Sequence, residues 1–271
     1  MTIKSVLCAY SGDPERGSGL EHAIRIAKHY DAHLTGVIRH GRAFIHSQSS
    51  VYLPKAVLQQ LRDNEQGHID AVAARFMEIT SAAGLSGRAD FVDLDPAEHG
   101  PLTDFSRAFD LVVSGHHPES EHDANMSSHP DLIALRSGRP VLVVPHGFQS
   151  SGLAARAVIA WDGQRAATRA LVAAMPVLED KAQVSLLSVG DAPRNTDRLL
   201  TTLERHGLSV DAATVPRQGS VAQTIVAEAK ARGARLIVTG AYEHSKFSHD
   251  LQGGVTTEIL NETDMPVLMA H

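Results

Sequence analysis

The chain has 271 residues, 43% of them apolar and 21% charged, with a formal charge of −6 and one cysteine. That length fits two domains of ordinary size in a globular protein, and one cysteine excludes an internal disulfide or a thiolate metal site. A negative balance argues against general nucleic-acid binding, and no apolar run reaches the ~18 residues that span a bilayer, so neither nucleic acid nor membrane is an expected partner.

The chain starts directly in a strand-like run, without a signal-peptide layout, so the expected compartment is the cytoplasm. Residues 5–10 read as a buried strand, with Cys8 an inert core thiol. Ser18 and Glu21 have capping-box spacing, and Leu20, Ala23, Ile24 and Ala27 follow with helical period. A strand at 33–38 leads into a long polar connection, 39–54, and then a long helix with Leu58, Leu61, Ile69, Val72, Phe76 and Ile79 on its inner side. Strand three lies at 88–92, a short helix at 98–109, strand four at 111–114, a helical turn at 132–137 and strand five at 140–145. The small-residue stretch 146–152 reads as a linker between domains at 1–147 and 153–271.

The order then repeats. Strands are expected at 157–161, 182–189, 210–215, 234–239 and 266–270, and helices at 166–178, 196–206 and 255–260. A further helix is capped by Ser220 and Gln223. Val-, Leu- and Ile-rich strands without polar alternation, each followed by a helix, imply a parallel sheet covered on both faces. Residues 110–115 lie over 235–240, and the Pro-Val-Leu of 140–142 over that of 266–268, so the chain looks like a duplicated α/β domain.

In such sheets ligands bind beyond the carboxyl ends of the strands, where strand order reverses. Three segments of the second half point there. Asp162, after its first strand, can accept hydrogen bonds from a ribose hydroxyl or an adenine amino group. Gly240 leaves the fourth strand without a Cβ in the way of a ligand. Gly253, Gly254, Val255 and Thr256 open a helix whose free N–H groups and dipole favour an anion, with Thr256 adding a hydroxyl. A plainer reading makes Gly240 and Gly253 turn residues and Asp162 a helix cap.

These residues resemble the universal stress proteins in their tandem two-domain form, most closely over 157–163 and 236–271 and more faintly over 1–147. The resemblance implies two doubly wound, Rossmann-like domains, each a five-stranded parallel sheet between helices. It also implies pairing of their last strands within the chain and a stress-response role through a nucleotide or a protein partner, without turnover. ATP-binding members carry a glycine, two residues, a second glycine, nine residues, a third glycine and a Ser or Thr. Gly240 and Gly253 match the first and third glycines, and Asp162 matches the family's aspartate, but Glu243 replaces the second glycine and Gly254 the hydroxyl residue. Two unit charges ~4 Å apart repel by about 4 kcal/mol at an effective dielectric near 20, which removes on the order of a thousandfold in affinity. The expectation is therefore a weak or altered site for ATP or another adenine nucleotide in the second half. The first half departs further, with Ser11 at the aspartate position and only Gly115 kept.

Two weaker signals remain. Gly12 to Ser18 has P-loop glycine spacing but lacks the lysine and carries Asp13 and Glu15, so it reads as chance. The His-rich stretch 116–129 holds zinc-ligand residue types without a spacing that fixes geometry, and reads as a solvated loop. No Ser-His-Asp or Cys-His set stands out, so neither catalytic nor metal residues are expected. A slow ATP-hydrolysing enzyme and a scaffold with both pockets closed stay open as rivals, as do an unidentified protein partner and association of two chains.

Overall fold

The computed structural model describes residues 2–12, 17–39, 54–116, 130–150, 152–241 and 254–271. Its first half runs β1 (Ser5–Ala9), α1 (Gly17–Tyr30), β2 (His33–Arg39), α2 (Lys55–Ala82), β3 (Ala89–Leu94), α3 (Pro96–His99), α4 (Leu102–Phe105), β4 (Leu111–His116), α5 (Pro130–Ser137) and β5 (Val141–Pro145). The second half runs β6 (Ala154–Ala160), α6 (Arg165–Ala174), β7 (Leu178–Val189), α7 (Thr196–Arg205), β8 (Ser209–Val215), α8 (Val221–Ala231), β9 (Leu236–Gly240), α9 (Val255–Glu262) and β10 (Val267–Ala270).

All ten strands share one sheet in the order β3-β2-β1-β4-β5-β10-β9-β6-β7-β8. Within each half every pairing is parallel, and the halves join where β5 and β10 run antiparallel. This is the doubly wound arrangement expected of each half, with the last strands meeting inside one chain. The seam is symmetric. Leu142 faces Leu268, while Val141 faces Met269 and Val143 faces Val267. Leu142 and Leu268 hold the same place in the repeated Pro-Val-Leu, so like meets like, as at a two-fold axis.

Burial explains the pattern of residues. β4, β5, β9 and β10 are buried along both faces, which is why they read as unbroken apolar runs. One apolar layer gathers α1, α2, α6 and α7 residues, among them Ile24, Phe76, Leu171 and Leu203, against Ile159 and Val238. The opposite layer sets Ile133, Ile225 and Ile259 of α5, α8 and α9 against Val112, Val158 and Ile237. Cys8 is fully buried in the first of these layers, and burial pushes its thiol up to about 12.

Three expectations need correction. The helix expected over 98–109 is broken into α3, α4 and a 3-10 turn at Ser106–Ala108. Gly100 has φ 71 and Pro101 follows it, and that pair cannot continue a helix. The helix expected to reach residue 178 stops at Ala174. Pro176 sits in a 3-10 turn, and Leu178 already belongs to β7. Ser18 lies inside the first turn of α1, not at its N-cap. At α8 the capping box is present on both sides.

Candidate functional site

The strand order of the second half reverses between β6 and β9, which are direct neighbours, with Ala157 beside Leu236 and Ile159 beside Val238. Their carboxyl ends therefore flank the crevice in which a doubly wound sheet binds ligands. Asp162 stands two residues beyond β6 and is exposed. One of its carboxylate oxygens accepts the Gln164 N–H at 2.8 Å, a turn contact that leads the chain into α6. The N-cap of α6 is Gln164, so Asp162 is not the helix cap of the plainer reading, although its carboxylate supports the turn ahead of the helix.

Gly240 ends β9 and is buried. A Cβ there would lie 2.8 Å from Ala166 Cβ and 2.9 Å from both the Ala166 carbonyl carbon and the Ala167 nitrogen. The missing side chain is needed so that α6 can lie on the strand, a reason the sequence reading did not see. Thr256 is buried and its hydroxyl donates to the Gly240 carbonyl at 3.4 Å, tying the first turn of α9 to the end of β9. Gly254 is the buried N-cap of α9 in extended backbone, and Val255 is its exposed first residue. Gly253, Glu243 and the histidine stretch from 117 to 129 lie outside the described residues.

The structure thus brings Gly240 and Thr256 into contact, sets Gly254 and Val255 at the same helix start, and puts Asp162 on the adjacent strand end. α9 is held against α8 at its middle and at its last residue. Ser220, the N-cap of α8, donates to Glu258 Oε1, and Gln223 Nε2 donates to Glu262 Oε1 at 3.1 Å. The α8 capping box therefore also orients α9. Its leading N–H groups and dipole suit an anion.

Residues beyond the expected set shape this end of the sheet. His271 Nδ1 donates to the Ala241 carbonyl at 2.6 Å, and Arg169 of α6 donates to the His271 carbonyl at 3.0 Å, fixing the chain as it leaves β9. Pro193, between β7 and α7, sits on Gly163, whose φ of 73 turns the chain after Asp162. Trp161, the last residue before Asp162, is buried with its indole nitrogen lacking a hydrogen-bond partner. The glycines, Asp162, Val255 and Thr256 carry a sequence signal; the contacts of His271, Arg169, Pro193 and Trp161 across the fold carry none.

In the first half, Ser11 and Gly12 occupy the places of Asp162 and Gly163, since Val6 pairs with Leu111 as Ala157 pairs with Leu236. Among the described residues no three His, Cys, Asp or Glu side chains gather as a metal set, and no helix is long and apolar enough to cross a membrane.

Comparison with known proteins follows the same division. The model of the Universal stress protein family matches residues 155–271. A universal stress protein of Synechocystis is 24% identical over 177 residues, 62% of this chain; the chain spans 60% of that relative's length. Among solved structures, a universal stress protein from Archaeoglobus fulgidus superposes with a TM-score of 0.73 at 16% identity, covering 99% of this chain and 96% of the other. A functionally unknown protein from Pseudomonas aeruginosa PAO1 superposes with a TM-score of 0.55 at 17% identity, covering 99% and 92%. At these identities the structural likeness is one of fold.

Proposed function

We propose that this chain, whose residues 155–271 match the model of the Universal stress protein family, is a tandem universal stress protein of the stress response with domains at 1–147 and 153–271, and that the second domain holds an adenine nucleotide weakly and without turnover. The observation that carries this reading is the convergence at the strand-order reversal of the second half. Asp162 follows β6, and Gly254, Val255 and Thr256 open α9 beside the end of β9. The carboxylate of Asp162 suits a ribose hydroxyl or an amino group, and the α9 start suits a phosphate. The residues in reach offer an acceptor, a hydroxyl and backbone N–H groups. That is the equipment of a binding site, and among the described residues it holds no nucleophile paired with a base.

A second reading is favoured by a specific contact. The absent Cβ of Gly240 is taken up by Ala166, and Asp162 already accepts a backbone N–H, so both residues have structural duties without a ligand. On that reading the chain is an interaction scaffold. Competition of unlabelled against labelled ATP, with and without magnesium, separates the two. Saturable but weak binding without ADP release is the expected result. The absence of binding at millimolar ATP establishes the scaffold, and ADP release establishes an enzyme.

A further inference from the structure

Trp161 is the only tryptophan in the chain. Its ring is packed into the core with 8% of its surface exposed, yet its Nε1 has no hydrogen-bond partner. Its backbone is satisfied, since the N–H donates to the Leu187 carbonyl at 2.8 Å and the carbonyl accepts from Ser188 Oγ at 2.7 Å. Buried donors left without acceptors are few in native folds and call for an explanation.

The equivalent residue of the first half shows what is missing. Tyr10 packs at a tilt against Phe76, ring centroids 5.7 Å apart, with Arg75 of the same helix, α2, at its hydroxyl. The second half has no such helix stretch, because α7 starts only at Thr196. Asn195 stands as far ahead of β8 as Arg75 stands ahead of β3, and its side chain makes no capping hydrogen bond. The cover above this end of β6 is the segment from Gly190 to Asn195, exposed throughout except at half-buried Pro193. A Cβ on Gly163 would lie 2.9 Å from Pro193 Cβ, so this proline rests on the strand exit. Both ends of the segment are left-handed, with φ 91 at Gly190 and φ 64 at Asn195, the second an uncommon conformation for a residue with a side chain.

We propose that Trp161 is a ligand-recognising residue of the second half. Its indole N–H takes a hydrogen-bond acceptor of the nucleotide bound at the carboxyl end of β6, admitted when the segment from Gly190 to Asn195 lifts. This inference rests on the nucleotide reading above. An indole N–H is a donor only, so its partner is an acceptor such as a ring nitrogen or a ribose oxygen. The carboxylate of Asp162, the next residue, makes the opposite demand. The two residues on one strand end therefore call for an acceptor and a donor together, which a purine edge or a pair of ribose hydroxyls supplies.

A single tryptophan gives a single indole N–H resonance, so nitrogen-15 labelled wild-type protein reads this site alone. Titration with ATP is expected to shift that resonance saturably, at the same midpoint as displacement of labelled ATP. Trp161→Phe is expected to weaken ATP by about tenfold in the displacement assay, while Tyr10→Phe in the first half leaves affinity unchanged. Thermal melts of both variants verify that they fold. ATP binding that leaves the indole resonance in place, or that Trp161→Phe does not weaken, overturns this inference and leaves the nucleotide reading standing. The absence of ATP binding to the wild type overturns both.

Discussion

The two halves share strand order, register and the antiparallel seam, yet they treat the same corner of the fold differently. In each, the first helix comes down on the end of the fourth strand so closely that no side chain fits between. In the first half a Cβ on Gly19 of α1 would lie 2.6 Å from the Gly115 nitrogen; in the second a Cβ on Gly240 would meet Ala166 and Ala167 of α6. In both halves the contact of first helix and fourth strand is therefore too close for a side chain, at Gly19 on the helix in the first half and at Gly240 on the strand in the second. What separates the halves is the cover over the first strand. The long helix α2 lays Val72 against Gly12 and Phe76 and Arg75 against Tyr10. Among the described residues the second half has Pro193 on Gly163 and an unsatisfied indole beneath. The half with the aspartate is also the half with the thinner cover.

That comparison can be broken at several points. The largest effect is expected at Glu243, outside the described residues. If its charge sits against the phosphates, Glu243→Gly tightens ATP by up to roughly a thousandfold, about 4 kcal/mol, in a displacement assay. An unchanged affinity shows a carboxylate directed elsewhere. Next comes the seam. Leu142→Ala and Leu268→Ala each remove a fully buried side chain from equivalent places, and each should lower stability by about 2–5 kcal/mol in urea unfolding. Clearly unequal losses would end the two-fold description. Gly19→Ala and Gly240→Ala should each cost about 1–3 kcal/mol through overpacking of helix on strand, read the same way. A neutral Gly240→Ala would return that glycine to a ligand role.

The smallest effect depends on pH. His22 of α1 is buried, with Nδ1 2.8 Å from Ser150 Oγ in the segment joining the halves. Burial, with the Arg25 charge adding to it and Glu21 opposing, pulls its pKa from 6.5 down to about 4. A lowered histidine is neutral when folded and takes up its proton more readily when unfolded. Its contribution is complete above pH 6.5 and is lost as pH falls from there towards 4. Lowering pH from 7 to 5.5 should therefore cost about 1 kcal/mol through this group. His22→Gln should flatten that part of the stability profile, and an unaltered slope would show that other groups carry it.

Much of this was legible in the sequence, because strands buried on both faces advertise themselves as apolar runs and because a duplicated domain repeats its Pro-Val-Leu. The Ser220–Gln223 capping box is local and was read correctly. The breaks at Gly100-Pro101 and Pro176 are also written in the chain, as residues that stop a helix. The packing reason for Gly240 could not be read, since Ala166 meets it only across the fold. The same holds for Trp161, whose missing partner is a property of everything around it. Asp162 was visible as a residue, but its turn contact with Gln164 became known only from the backbone path.

The symmetric seam also bears on how the chain is made. β5 is complete when synthesis has passed the middle of the chain, but its partner β10 comes only after the rest of the second half. Until then the first half offers a wholly apolar strand edge to its surroundings. Leu142 faces its own repeat equivalent across the seam, so the same edge on another unfinished chain would fit it nearly as well. Nascent chains on one messenger are therefore exposed to mispairing during a defined interval, and the tether to the second half ends that interval by keeping the correct partner near.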